Sequence, residues 1–123
     1  MPLNRFAPDK PLRVAQNSAT VVSANSDAPK ATMFTVPKGR KFTVYAVGCD
    51  QNVANVSLLA FHIVGTQAVA LVDIPSQRLS TDERLVPQYE VFGEGESLTM
   101  GLRNGTGAGI TPQLVVWYSD EAV

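Results

Sequence analysis

Few side chains in this sequence could do covalent or metal chemistry, and their spacing limits them further. The one histidine, His62, sits inside the apolar run Phe61-His62-Ile63. A multi-histidine metal centre needs several imidazoles and a carboxylate, so the count argues against one. The one cysteine, Cys49, closes a β-like run at Gly48-Cys49-Asp50. A thiolate nucleophile needs an activating base, and the sequence identifies none for it. A serine hydrolase would show a Gly-x-Ser-x-Gly elbow, which is missing. The segment Gly105 to Gly109 lacks the Gly-Lys-Ser/Thr ending of a phosphate-cradling loop and reads as a turn. Gly93-Glu94-Gly95-Glu96 offers two carboxylates, but their spacing matches no calcium loop, so a solvated turn is expected. Asn55-Val56-Ser57 and Asn104-Gly105-Thr106 match glycosylation sequons. With no apolar h-region in Met1 to Pro8 they read as chance matches. The chemistry therefore predicts no catalytic residue, no metal and no cofactor. His62 and Cys49 are expected to be ordinary structural residues, and the chain is expected not to be an enzyme.

The elements that position these residues follow a period of two. Phe42, Val44 and Ala46 alternate with Thr43, Tyr45 and Val47, and Leu98, Met100 and Leu102 alternate with Ser97, Thr99 and Gly101. Met33 to Val36, the turn Pro37-Lys38-Gly39-Arg40 and Phe42 to Val47 predict a hairpin. Val53 to Val64 and Ala68 to Ile74 flank Gly65-Thr66-Gln67 and predict another, closed by Pro75. A helix over Val53–Ile63 competes, but the β-branched content and the lack of an N-cap favour strand. A third hairpin is expected from Ser97–Leu102 through Asn104 to Gly109 into Leu114–Tyr118. That last strand is apolar on both faces, as in a central strand or one covered by another subunit. Leu12 to Gln16 reads as a first strand, Thr20-Val21-Val22 as a brief patch, and Tyr89–Phe92 as a later strand. Residues 76–87 read as a loop or short helical turn.

At 123 residues, 45% hydrophobic and 17% charged, the chain fits one compact domain. Residues 1–11, with Pro2, Pro8 and Pro11, read as an extended arm, and 12–123 as one β-sandwich. The expected fold class is all-β: an antiparallel sandwich of about eight strands, most simply a jelly roll. A lone cysteine rules out an intrachain disulfide and suits a reducing compartment. The stretch Leu58 to Val72 is interrupted by His62, Gly65, Thr66 and Gln67, so no membrane span is expected.

Charge is unevenly spread along the chain. Up to Lys41 there are seven basic residues against Asp9 and Asp27; beyond it, three arginines face nine acidic residues. The basic third could dock on an acidic surface of a copy or a larger partner. Its cations are not interleaved with aromatics, which disfavours nucleic acid. Tyr45, Tyr89, Trp117 and Tyr118 are the rings that could form a sugar platform.

Three features give this chain the look of a known family. They are the polar, Pro-containing arm at 1–11, the segment Phe34 to Phe42 through Pro37-Lys38-Gly39, and the unit Gly95 to Gly107 followed by Trp117-Tyr118. In these the chain resembles bacteriophage capsid decoration (cement) proteins of the jelly-roll or β-sandwich type. No individual residue of that family is carried over. The resemblance implies a non-enzymatic protein that forms a homotrimer and binds the major capsid protein on the virion surface, after assembly in the host cytoplasm. It implies no nucleic acid and no membrane partner. The interface is then expected to draw on Arg5, Lys10 and Arg13 from the basic third and on Tyr89, Phe92, Trp117 and Tyr118 from the later strands. The same texture occurs in carbohydrate- or receptor-binding sandwich modules of phage tails and fibres, which is the alternative.

Overall fold

The computed structural model describes residues 13–17, 31–50, 54–75, 85–111 and 113–123. The expected arm at 1–11 and the Thr20–Val22 patch lie outside these residues. Eight strands run β1 (Arg13–Asn17), β2 (Ala31–Thr35), β3 (Arg40–Cys49), β4 (Val56–Val64), β5 (Gln67–Pro75), β6 (Leu85–Phe92), β7 (Ser97–Asn104) and β8 (Leu114–Ala122). One sheet has the order β1-β8-β3-β6 and the other β2-β7-β4-β5. All pairings are antiparallel. The result is the all-β antiparallel sandwich that the period-two runs predict.

The pairing is nested: β1 with β8, β2 with β7, β3 with β6, β4 with β5. Two of the three expected hairpins are therefore not hairpins. β2 pairs with β7 while β3 pairs with β6 and β8, so the Pro37–Gly39 turn carries the chain from one sheet to the other. Likewise β7 and β8 lie in different sheets, so the chain changes sheet after Asn104. The third expectation matches the structure: β4 and β5 pair from Val64↔Gln67 to Ser57↔Pro75. Gly65 has φ 61, the conformation that the first central position of a tight hairpin turn requires. Residues 85–87, expected as loop or helical turn, belong to β6. Pro87 is tolerated there because β6 is an edge strand.

The core fills the space between the sheets. Leu58 and Ala60 from β4, Leu98, Met100 and Leu102 from β7, Val44 and Val47 from β3, and Val116 from β8 are fully buried. A register shift at Tyr45 changes the face that β3 presents. Phe42 and Val44 point inward before it, Val47 and Cys49 after it, so Ala46 is not in the core cluster that simple alternation suggests. At one end four rings close the core: Phe34 lies 4.9 to 5.1 Å from Phe42, Phe92 and Tyr118, and Phe42 stacks on Tyr118 at 4.8 Å. Such edge-to-face and offset contacts add roughly 0.5–1.5 kcal/mol per pair beyond burial.

The two ends are tied differently. At the ring end the turns at 37–39 and 93–96 bind one another through Val36 N–H to Glu96 O, Gly95 N–H to Val36 O and Gly39 N–H to the Glu94 carboxylate, each 2.9 Å. At the other end Gly105 N–H donates to Asn55 O at 2.8 Å. A Cβ on Gly105 would sit 2.9 Å from that same oxygen, so the close approach requires glycine. Asn104, buried beside it, donates to Ala108 O and accepts from Thr106 N–H and Oγ–H. The second sequon is thus an internal loop brace.

Candidate functional site

Alternation along the outer strands sorts the expected interface residues by face. On β6, Glu90 and Phe92 point inward and Tyr89 and Val91 outward; on β8, Val116 and Tyr118 point inward and Trp117 outward. Register then lines the outward residues up across the sheet. Val14 on β1 stands opposite Trp117, Trp117 stands opposite Ala46 on β3, and the ring of Tyr45 meets Tyr89 edge-on at 5.1 Å. Tyr89 is 77% exposed, Val91 51% and Val14 49%, with Trp117 partly exposed between them. Between them the outward residues of β3, Thr43, Tyr45 and Ala46, are buried, so the exposed apolar side chains stand toward the two margins of the face, on edge strands β1 and β6. Within the same face the Oγ of Ser119 is buried and has no hydrogen-bond partner among the described residues.

The structure therefore brings Tyr89 and Trp117 onto one face and separates them from the other expected residues. Phe92 is a correction: it is 0% exposed and lies among the core rings, so it presents no surface to a partner. Tyr118 packs against the core through Phe42 and Phe34 and is only partly exposed. Arg13 is exposed, at the sandwich end, and faces Asp120 at 3.8 Å. Arg5 and Lys10 lie outside the described residues.

Folding also brings part of the basic third against the acidic C-terminus. Because β3 and β8 run antiparallel, Arg40 and Lys41 come to stand opposite Ala122 and Glu121. Arg40 donates to Asp120 at 2.6 Å, and Lys41 lies 3.5 Å from Glu121. The basic early residues and the acidic C-terminus are thus neighbours in one sheet. Pairs as exposed as these contribute little stability, at most about 1 kcal/mol each.

A second constellation has no counterpart among the sequence expectations. His62, 8% exposed, points between the sheets from β4. Its Nδ1 lies 2.8 Å from the Glu90 carboxylate of the opposite sheet and its Nε2 lies 2.6 Å from Glu96 in the 93–96 turn. Its ring also lies against Phe92, centroids 3.8 Å apart. Ionised carboxylates only accept, so serving both takes the doubly protonated ring. The Glu96 carboxyl is held below the ordinary carboxylate range by the Gly93 N–H first, then by the hydrogen bond and charge of His62, with burial acting against them. The partner of His62 is thus a pair of carboxylates, and the expected solvated turn supplies one of them. The available signal is an imidazole on the buried side of an alternating strand, which needs partners wherever they lie in sequence.

The β4–β5 hairpin adds a smaller apolar surface, with Val64 and Val69 about half exposed. On its other side Phe61, Ile63, Ala68 and Thr99 line a shallow hollow of about 170 Å³.

No family model and no curated protein matches the chain. Among solved structures it is similar to a pentameric capsid protein isolated from metagenomic phage sequences, at 13% identity and a TM-score of 0.40, over 83% of this chain. The chain spans 62% of that protein's length.

Proposed function

We propose that this chain is a non-enzymatic structural protein of a phage particle. In this reading it is a capsid decoration protein that forms a homotrimer and binds the major capsid protein on the outside of the shell. The observation that carries the reading is the outer face of the β1-β8-β3-β6 sheet, where Val14 on one edge strand and Tyr89 and Val91 on the other are exposed and Trp117, beside Val14, is partly exposed. Exposed apolar side chains on one face are costly for a monomer and useful in an interface. We also read the nested strand pairing as jelly-roll winding, an architecture used by capsid and lectin domains. That support is an analogy of fold, and the face is the physical argument. Closed symmetric association would cover the face on every copy. The test is sedimentation of the purified chain over a concentration series, followed by co-sedimentation with shells of the major capsid protein. Association and shell binding are expected. A monomer at all concentrations that stays in the supernatant would overturn the reading.

One observation favours the alternative of a carbohydrate- or receptor-binding module: the exposed Tyr89 ring braced edge-on by Tyr45, a rigid surface for stacking a sugar. Glycan-array binding abolished by Tyr89→Ala, in a chain that does not self-associate, would select it.

A further inference from the structure

His62 takes no part in the assembly face, yet it joins the two sheets at the end where their turns meet. We propose that His62 is a proton-operated latch. With both ring nitrogens protonated it ties β6 and the 93–96 turn to β4 of the opposite sheet, and loss of one proton opens that corner.

The geometry supplies both states. A neutral imidazole has one N–H and one lone pair, so it can donate to one carboxylate only. Glu96 Oε1 also accepts from Gly93 N–H at 2.9 Å, and it keeps that donor when the ring changes state. Glu90 has no such second anchor in the turn among the described residues, and its side chain is about one-third exposed. The proton is therefore lost from the Glu90 side: a lone pair would then face a carboxylate oxygen at 2.8 Å, and Glu90 swings toward water. The titratable groups facing the ring are Glu90 from β6 and Glu96 from the turn. β7 and β5 present Leu98 and Val69 as the cross-strand neighbours, both apolar. Glu94 is occupied one step further out, accepting from Gly39 N–H. Phe92 lies along the ring, and an aromatic face attracts a cation.

Histidine is the side chain whose gain or loss of a proton most commonly serves as a switch. The consequence of this latch for assembly rests on the reading above. Glu90 lies between Tyr89 and Val91 on an edge strand, so release of Glu90 loosens the strand that carries the exposed pair.

The experiment is a pH series on the whole chain with isotope-labelled histidine. Ring nitrogen shifts report the protonation of His62, and amide exchange, corrected for intrinsic pH dependence, is read at Glu90, Val91 and Phe92 of β6, where the freed side chain lies. Exchange at these amides is expected to rise on the order of tenfold, the worth of one hydrogen bond, with the same midpoint as the ring titration. In His62→Gln the corrected exchange should be independent of pH. A ring that is neutral while the corner is protected, or corner protection equal on both sides of the ring's titration, overturns the latch. The wild-type series decides this even if the variant does not fold. Sedimentation in the same series separates the two ideas. Loss of mass at the ring's midpoint supports the link to assembly, and constant mass with an opening corner overturns that link alone.

Discussion

Replacing Glu96 by glutamine removes one charge from the corner and almost no volume. In the native chain Oε1 accepts from Gly93 N–H at 2.9 Å and faces His62 Nε2 at 2.6 Å. The amide oxygen of the substituted side chain can keep both contacts, so the change isolates the charge. A hydrogen bond to a charged group is worth about 1.5–3 kcal/mol and a neutral one about 0.5–1.5, a difference of roughly 1–1.5. The side chain is about a quarter exposed, which places the loss at the lower end, about 1 kcal/mol. For a chain of this size that is a fall in Tm of about 4 °C. The sign with pH follows from the direction of the shift. Because the Glu96 carboxyl titrates lower in the folded chain than in the unfolded one, its stabilisation is present at neutral pH. It is lost as pH falls below the unfolded value of about 4.3 and through the folded value. Glu96→Gln should therefore melt lower than wild type at neutral pH and converge on it in acid, by calorimetry or circular dichroism. Equal melting at neutral pH, or a gap that persists unchanged in acid, would refute the role given to the carboxylate.

Two other outcomes follow from buried groups. Asn104→Ala takes the acceptor from Thr106 N–H and one of two donors from Ala108 C=O, which keeps the Thr106 hydroxyl, and should cost about 1–2 kcal/mol in denaturant unfolding. Unchanged stability would remove the loop-brace role. The Cys49 thiol, buried in the core, should react with a bulky disulfide reagent only as fast as the chain unfolds. Rapid stoichiometric labelling of the folded chain would contradict its placement.

Strand positions are legible in the sequence and most strand partners are not. The alternation of Leu98, Met100 and Leu102 reports that one side is buried without saying against which sheet. Pro37-Lys38-Gly39 and Asn104-Gly105 supply reversing backbone that serves a crossing between sheets as well as a hairpin. Only Gly65-Thr66, a two-residue connection between apolar runs, carries enough information to fix its pairing. The bulge at Tyr45 leaves no mark in composition, so alternation alone puts Ala46 on the wrong face. The charge split misleads for a related reason: charges far apart in sequence are adjacent once β3 pairs with β8. Part of the candidate face is within reach, since strict alternation on Tyr89-Glu90-Val91-Phe92 separates Tyr89 from Phe92. The His62 cluster is not, because its partners lie 28 and 34 residues away, in the opposite sheet and in a turn whose acids look solvated.

The central claim is that the outer face of the β1-β8-β3-β6 sheet is where copies of the chain meet. Val91→Lys tests it most directly, because Val91 is half exposed and stands outside the core cluster on which the fold depends. As a surface change it should alter stability by no more than about 0.5 kcal/mol. Burying the remaining half of a valine is worth about 1 kcal/mol, and an unpaired ammonium in its place costs more, so association should weaken by at least about tenfold. Sedimentation equilibrium of wild type and variant under identical conditions reads the difference. An oligomer is expected for wild type, and a folded chain of lower average mass for Val91→Lys. Identical masses in two equally folded proteins would contradict the claim.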